Sequence, residues 1–354
     1  EAGQAWAAAH PADPAAARLC NLYPDAGAYV INLRLHPRVQ IAWLEAALIA
    51  ARALGNRGAE GAHLGSLGNA WRNLGEPRRA IDYYEQYLTI AREIGDRRGE
   101  GNALGSLGSA YLTLGEPRRA IDYYEQYLTI AREIGDRRGE GNALGNLGNA
   151  WADLGEPRRA IDYYEQDLVI AREIGDRRGE GNALGNLGNA WADLGEPRRA
   201  IDYYEQWLTI AREIGDRRGE GAALGNLGNA WADLGEPRRA IDYYEQRLVI
   251  AREIGDRRGE GAALGNLGLA WADLGEPRRA IEYYEQALVI DREIGDRQGE
   301  AISCWNLGVL LVQQGELPRA VELMQVAVDF YSSIGHPDAE KLAARVEQIR
   351  QKLK

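Results

Sequence analysis

The residues of this chain best suited to bind another molecule are asparagines and aspartates that recur every 40 residues. In one stretch they are Asn142, Asn146, Asn149 and Asp153. The spacing i, i+4, i+7, i+11 places these four side chains on one stripe of a helix, called the groove stripe below. An amide offers one carbonyl acceptor and two N–H donors, so it can hydrogen-bond a peptide backbone whatever side chains that peptide carries. The stripe therefore indicates recognition of an extended segment.

The candidate ligand-binding residues are the polar members of this stripe in successive copies: Asn102, Asn142, Asn146, Asn149, Asp153, Asn182, Asn186, Asn189, Asp193, Asn226, Asn229, Asp233, Asn266 and Asp273. We expect an amide ladder among six of them, Asn146, Asn149, Asn186, Asn189, Asn226 and Asn229. The simpler alternative is that an exposed polar stripe is only solvated and that recent duplication keeps the copies alike. Both interpretations remain open at the level of sequence.

Catalytic chemistry is not indicated. The carboxylates repeat every 40 residues, whereas a general acid/base pair is a single site. The glycine-rich stretch 139–145 departs from the spacing of a nucleotide-binding loop and recurs in every copy. The four isolated histidines lack partners with metal-ligand spacing: His10, His36, His63 and His336. We predict no enzyme activity, no cofactor and no metal.

Charge and composition narrow the partners and the compartment. The 354 residues carry a formal net charge of −11, which disfavours nucleic acid and anionic membranes. No apolar run is long enough to span a bilayer. Cys20 and Cys304 are far apart, which favours a reducing, cytoplasmic location. A start at Glu1 with Met324 as the single methionine indicates a fragment of a longer protein.

The chain is organised as an internal repeat. Residues 138–177 and 178–217 differ at only two positions, where Asp167 becomes Trp207 and Val169 becomes Thr209. The domain boundaries that we predict are a lead-in with a degenerate repeat at 1–57, six close copies at 58–297, a diverged seventh copy at 298–337, and a capping helix at 338–354. The degenerate repeat has its first helix interrupted at Pro24, and His36 lies in register with Glu76.

Each copy predicts two helices. In the third copy, helix A covers about 138–154 and helix B about 157–174. Gly155 and Gly175 end the two helices, Pro157 begins the second, and Asp176 caps the next helix A. Apolar residues follow the helical period in helix A (Leu144, Leu147, Gly148, Trp151) and in helix B (Ala160, Ile161, Tyr164, Leu168, Ala171).

One helix pair cannot bury its apolar stripe alone, so stacking of neighbours is required. The predicted fold class is all-α, a right-handed superhelical solenoid of antiparallel helix pairs. Gly145 and its equivalents indicate close approach of a neighbouring helix or a ligand. We expect one helix B position to be exposed, because its residues differ too widely for a core: Tyr87, Tyr127, Asp167, Trp207, Arg247 and Ala287. Trp207 is then a possible ligand contact.

The motif Asn146-Leu147-Gly148-Asn149-Ala150-Trp151, followed by Gly155, Ala160, Ile161, Tyr164 and Leu168, resembles the tetratricopeptide repeat (TPR). The 40-residue length resembles the long-repeat branch of Pins-type adaptors. The resemblance covers residues 58–337. It implies a concave groove, lined by helix A, that holds extended peptides. Pins-type adaptors carry Arg where this chain has Asn142, Asn182 or Ala222, which disfavours an acidic ligand here and favours a neutral or basic one.

The stretches 36–38 and 43–48 resemble the lead-in to repeat arrays of bacterial signal-transduction ATPases with numerous domains (STAND proteins). That resemblance implies a ligand-sensing domain in a signalling ATPase, with the nucleotide-binding switch outside this chain. The function we predict is therefore a peptide- or protein-binding module that serves as such a sensor. Two alternatives are a self-assembling scaffold and an engineered consensus array; the diverged ends argue against the second.

Overall fold

The computed structural model describes residues 2–10, 13–22 and 37–353 of the chain. Its contacts divide the chain into two compact units, residues 1–179 and 180–354. All the regular elements in the described ranges are helices, and the all-α prediction is confirmed. Pro24 and His36, on which the register of the degenerate repeat was argued, lie outside the described residues.

The first unit contains the lead-in and the first three close copies. Its helices are α1 (Ala2–Ala9), α2 (residues 14–22), α3 (Pro37–Ala53), α4 (Arg57–Asn73), α5 (Pro77–Ile94), α6 (Arg97–Thr113), α7 (Pro117–Glu133), α8 (Arg137–Asp153) and α9 (Pro157–Glu173). From α3 onward, each helix packs against the next one in the chain up to α9. The even-numbered members from α4 are helix A of a copy and the following odd-numbered members are helix B.

The second unit holds the remaining copies and the C-terminal helix. Its helices are α10 (Arg177–Asp193, whose first turn belongs to the first unit), α11 (Pro197–Glu213), α12 (Arg217–Asp233), α13 (Pro237–Ile254), α14 (Arg257–Asp273), α15 (Pro277–Ile294), α16 (Arg297–Gln314), α17 (Leu317–Ser333) and α18 (Ala339–Gln351). From α11 to α18 each helix again packs against its neighbour in sequence.

The helices begin and end within one residue of the positions predicted from the glycines, prolines and aspartates in the sequence. Gly155 has φ +74°, a left-handed conformation that glycine adopts without strain, and it separates α8 from α9. Pro157 then occupies the first position of α9. The Asp176 carboxylate accepts a hydrogen bond from the Gly179 amide at 2.9 Å, which confirms its predicted capping role.

The two helices of a copy touch most closely where a glycine faces a tyrosine. A Cβ added to Gly148 would overlap the ring of Tyr164, so no larger residue fits without displacing that ring. Leu144 and Leu147 flank the glycine and are fully buried, as predicted. The same glycine–tyrosine contact occurs in all six close copies, and Met324 faces Gly308 in the seventh.

Within each unit, ion pairs connect a helix B to the next helix A. The Glu140 side chain is buried, and it accepts hydrogen bonds from Arg132 at 2.8 Å and from Arg137. Arg137 also binds Glu173, so four charges alternate along this contact. Burial alone raises the pKa of Glu140, but the hydrogen bonds from the two arginines outweigh it and lower the pKa below its ordinary value.

Both ends of the array carry additional helices. In the lead-in, small residues of α1, α2 and α3 form a cluster, and Asn21 of α2 hydrogen-bonds the buried His63 of α4 at 3.0 Å. At the other end, Val346 and Ile349 of α18 are buried against α17, as expected of a capping helix. The helical spacing of Leu342, Val346, Ile349 and Leu353 in the sequence predicts that Leu353 lies on the same apolar face. That prediction is wrong: α18 ends at Gln351 and Leu353 is exposed.

Two negative findings concern the described residues. None of the helices there combines the length and the apolar character needed to cross a bilayer. The same residues contain no group of His, Cys, Asp and Glu side chains arranged to hold a metal ion.

The glycine–tyrosine contact predicts opposite effects for two glycine substitutions in the second unit. Gly228→Ala forces a methyl group into the Tyr244 ring and should destabilise the protein by about 1–3 kcal/mol. A Cβ at Gly265 meets nothing within 4 Å, so Gly265→Ala should stabilise by up to ~1 kcal/mol through helix propensity. Urea unfolding measures both. Equal effects of the two substitutions would contradict the packing argument.

The Glu140 ion pairs predict a dependence of stability on pH. Because the folded state lowers the pKa of Glu140, its contribution is present above the ordinary value near 4.5 and is lost as the pH falls through the lower folded value. Glu140→Gln should therefore destabilise by on the order of 1–3 kcal/mol at pH 7 and by much less near pH 3. Glu165→Gln, at an exposed position of α9, is the control, and urea midpoints of Glu140→Gln that match the control at both pH values would refute the role of Glu140.

Candidate functional site

The groove stripe lies on one accessible side of every helix A. On α8, Asn142 and Asp153 are exposed, whereas Asn146 and Asn149 are half-buried. The equivalent residues agree with α8 at the first, second and fourth positions of the stripe, whereas at the third position Asn189 and Asn229 are more exposed than Asn149. Exposed members are Asn102, Asn182, Asn189, Asn229, Asp193, Asp233 and Asp273, and half-buried members are Asn186, Asn226 and Asn266.

A buried tyrosine fixes the third residue of the stripe. The Tyr164 hydroxyl donates a hydrogen bond to the Asn149 side-chain oxygen at 2.8 Å. Tyr204 binds Asn189 and Tyr244 binds Asn229 at the same distance. Burial raises the pKa of Tyr204 and Tyr244, so both stay protonated and donate over the physiological range. The orientation of each amide is thus set from the core.

In the second unit, hydrogen bonds join the stripes of successive helices. The Asn226 amide nitrogen donates to the Asn189 oxygen at 3.1 Å, and the Asn266 nitrogen donates to the Asn229 oxygen at 3.2 Å. One step of the expected amide ladder, from Asn226 to Asn189, is therefore present in this unit, and Asn266 adds a second bond of the same kind from outside the six predicted residues. Because Asn189 and Asn229 each accept two hydrogen bonds through their oxygen, what they offer a ligand is N–H donors.

The first residue of the stripe meets helix B of the preceding copy. Burial raises the pKa of Tyr127 of α7, and Asn142 of α8 lies close enough for its amide to oppose that larger effect by lowering the pKa of the tyrosine. Tyr87 of α5 stands in the same relation to Asn102 of α6. The Tyr127 hydroxyl also lies 3.2 Å from where a Cβ of Gly139 would be. These tyrosines therefore lie beside the stripe rather than on the opposite side of the molecule.

The variable helix B position was predicted to be exposed, and that prediction is wrong. Its side chain is half-buried in five copies, and Ala287 is fully buried in the sixth. We call it the glycine-facing position, because in four copies it packs against two glycines of helix A, such as Gly141 and Gly145, and in a fifth Arg247 packs against Gly225. Its members are Tyr87, Tyr127, Asp167, Trp207, Arg247 and Ala287.

The close approach expected at Gly145 and its equivalents is made by this position. A Cβ on Gly145 would lie 2.9 Å from the Asp167 carboxylate, and one on Gly185 would lie 3.1 Å from the Trp207 ring. Because glycine has no side chain, helix A leaves space at this position for helix B residues of very different size. This explains how a partly buried position tolerates Tyr, Asp, Trp and Arg.

Two of these side chains place a charge in a partly desolvated setting. Burial, with a smaller contribution from Asp176, raises the pKa of Asp167 to about 7. Burial lowers the pKa of Arg247, against an opposing effect of Asp256. Perturbed ionisable groups of this kind are typical of functional sites, although structural networks also produce them.

Sequence reasoning missed the glycine-facing position, although the chain contains a signal for it. In the seventh copy the two glycines are replaced by Ala301 and Trp305, and helix B there carries Ala327. In the seventh copy the large side chain is therefore on helix A and the small one on helix B, the reverse of most other copies. Such a volume exchange indicates contact between the two positions, and it separates a half-buried site from an exposed one.

With this geometry established, comparison with known proteins gives the family. The tetratricopeptide repeat model matches residues 72–133, 100–173, 139–213, 179–253, 219–293 and 259–333. The chain belongs to the tetratricopeptide repeat family. No curated protein sequence matches it.

Solved structures agree with the fold. A STAND protein with a tetratricopeptide repeat sensor from Pyrococcus horikoshii matches 90% of this chain at 16% identity, with a TM-score of 0.70. This chain covers 51%, about half, of that protein. Apo RapI matches 81% of this chain and 99% of its own at 16% identity, with a TM-score of 0.61. Apo NprR, a quorum sensor from B. thuringiensis, matches 86% and 93% at 14% identity, with a TM-score of 0.56.

The half-buried Asp167 carboxylate predicts a gain in stability on its neutralisation. Since the folded state raises its pKa from 3.8 to about 7, stability falls as the pH rises through that interval. Asp167→Asn should raise the free energy of unfolding by on the order of 1–3 kcal/mol at pH 8 and change it little at pH 4. Urea unfolding at the two pH values tests this. The exposed Asp153→Asn is the control, and a loss of stability in Asp167→Asn at pH 8 would contradict the prediction.

Proposed function

We propose that this chain is a non-catalytic recognition module that binds an extended peptide or protein segment along the groove stripes of its helices A. The observation that carries the proposal is the set of amides fixed from the core. Tyr204 and Tyr244 hold Asn189 and Asn229, and the oxygens of these amides are already bonded within the protein. Their N–H groups therefore face an incoming acceptor without further ordering.

Peptide backbone carbonyls are the acceptors that suit such a row. An extended segment presents carbonyls at regular intervals, and N–H donors bind them independently of the side chains. Preorganised donors lose little conformational freedom on binding, so each contributes a larger share of its gross energy. Successive helices A that carry nearly the same stripe can thus bind a peptide segment whatever its sequence.

The charge of the stripe favours a segment that is neutral or basic overall. Asp153, Asp193, Asp233 and Asp273 are exposed at the fourth position of the stripe. In the first unit, Asp167 adds a half-buried carboxylate that makes no ion pair with the described residues. A cationic side chain placed near Asp167 would restore the ionised form that burial disfavours.

We further propose that the module is the sensor of a longer signalling ATPase of the STAND type. The fold likeness to a STAND protein with a repeat sensor supports this, as does the resemblance of residues 36–38 and 43–48. The nucleotide-binding switch would then lie outside this chain, and a ligand would act by preferring one state of it. A cytoplasmic, bacterial setting and membership of the Pins-like long-repeat branch remain predictions.

The amide row predicts a loss of binding when its inter-helix members are removed. Fluorescently labelled protein is first tested on an array of 12-residue peptides of random sequence, and captured peptides are then titrated in solution. The double substitution Asn189→Ser and Asn229→Ser removes the N–H donors but keeps a partner for each tyrosine, as Ser109 does for Tyr124. It should weaken binding about tenfold, since each amide contributes a net hydrogen bond.

The matched control removes two amides from the outer side of helix B. Gln246 and Gln286 are exposed and hydrogen-bond carbonyls of their own helices. Changing both to Ala should leave peptide affinity unaltered. An equal loss in both double variants, or no loss in the first, would argue against the stripe as the binding surface.

A further inference from the structure

The glycine-facing position of the fifth copy, Arg247, differs from all the others in carrying a positive charge. The guanidinium rests on the backbone of α12, because a Cβ on Gly225 would lie 2.5 Å from one of its terminal nitrogens. The side chain is half-buried. It is therefore held against the protein rather than extended into solvent, as long arginine side chains on a surface usually are.

Arg247 has no partner for its charge in the part of the chain that the structure describes. It forms no hydrogen bond and no ion pair with any described residue. Asp256 is the carboxylate that acts on it electrostatically. That carboxylate already caps α14 by accepting from the Gly259 amide at 2.9 Å. In contrast, other arginines take part in ion pairs that recur from copy to copy. Arg252, for example, binds Glu260 at 2.8 Å.

Arg247 contacts α12 at Gly225, one helical turn before the stripe residue Asn229. Tyr244, three residues earlier on α13 and within the electrostatic influence of Arg247, donates its hydroxyl proton to Asn229. The Asn229 oxygen also accepts from Asn266, so Asn229 has its N–H groups left to offer. A partly desolvated guanidinium one helical turn from an amide donor is suited to one kind of ligand group, an anion with two acceptor oxygens.

We infer that Arg247 forms a carboxylate-binding subsite in the second unit, which accepts one carboxylate of the peptide or protein segment bound there. The inference rests on the proposed function, because the subsite lies beside the groove stripe. A guanidinium binds a carboxylate through two parallel N–H···O bonds, which fixes the register of the segment as well as its charge. The carboxylate belongs to an Asp or Glu side chain or to the C-terminus of the segment.

The subsite is compatible with a ligand that is neutral or basic overall. The exposed Asp233 and Asp273 lie on the stripes of α12 and α14, so a run of acidic residues would meet repulsion there. A single ligand carboxylate bound to Arg247 meets less of this electrostatic repulsion than a run of acidic residues does. The glycine-facing position then determines which side chain a copy selects, whereas the stripe binds the backbone.

The array itself supplies substitutions that the fold tolerates. Arg247→Ala reproduces the residue at Ala287, and Arg247→Asp reproduces Asp167, each opposite the same type of glycine pair. Arg238→Ala is the matched control, because it removes one positive charge from an exposed position of the same helix. Circular dichroism melting should show all three variants folded.

The experiment uses random 12-residue peptides in four versions, with or without one Glu and with a free or amidated C-terminus. Wild-type protein and Arg238→Ala should prefer carboxylate-bearing peptides, and Arg247→Ala should lose about tenfold in affinity for these alone. Arg247→Asp should prefer peptides with Lys or Arg. If Arg247→Ala loses affinity only for peptides with a free C-terminus, or only for peptides with Glu, that result identifies the source of the carboxylate.

Two other outcomes count against the inference and differ from each other. If wild type and Arg247→Asp capture the same peptides with equal affinity, the subsite is refuted while peptide binding by the stripe stands. If wild type captures no peptide of any version, the proposed function fails and the subsite fails with it.

Discussion

The contact between Gly148 and Tyr164, and its equivalents, is the constraint on which the rest of each copy depends. The absent side chain lets the tyrosine ring lie on the backbone of helix A, which sets the distance between the two helices. The hydroxyl of the same ring then reaches the edge of the core and holds Asn149. A single packing choice therefore fixes both the core and the orientation of the Asn149 amide.

The glycine-facing position follows a second, looser version of the same rule. Gly141 and Gly145 leave a space that different copies fill with Tyr, Asp, Trp or Arg, and Gly265 leaves it unfilled opposite Ala287. Because the space is bordered by helix backbone, its shape does not depend on which residue enters it. Variation is thus permitted at this position without disturbing the Gly148 contact one turn away.

Most of the fold was predictable because its determinants are local. Gly155, Pro157 and Asp176 act within a few residues of their own positions, so the helix ends agree with prediction to within one residue. The groove stripe was predictable for a similar reason, since helical spacing alone puts Asn142, Asn146 and Asn149 on one side. Whether a variable residue is exposed depends instead on what faces it across the helix pair.

Trp207 shows why the exposure of a variable residue was predicted wrongly. Wide variation among copies is the usual mark of exposure, and it is also the mark of a half-buried site whose partner has no side chain. Only the simultaneous change in the seventh copy, where Trp305 on helix A accompanies Ala327 on helix B, distinguishes the two cases. Leu353 was misplaced for a different reason, because its helix ends before the periodic pattern does.

The energetic effect of Asp167 and Arg247 bears on why the copies differ. Partial burial disfavours the charged form of both side chains, as the directions of their pKa changes show. Ala at this position, as at Ala287, carries no such penalty. A chain shaped by stability alone would have little reason to keep charges of opposite sign opposite its glycine pairs. Differences concentrated at one position beside a repeated donor row are what the proposed binding would require, if each copy selected a different ligand side chain and bound the ligand backbone in the same way.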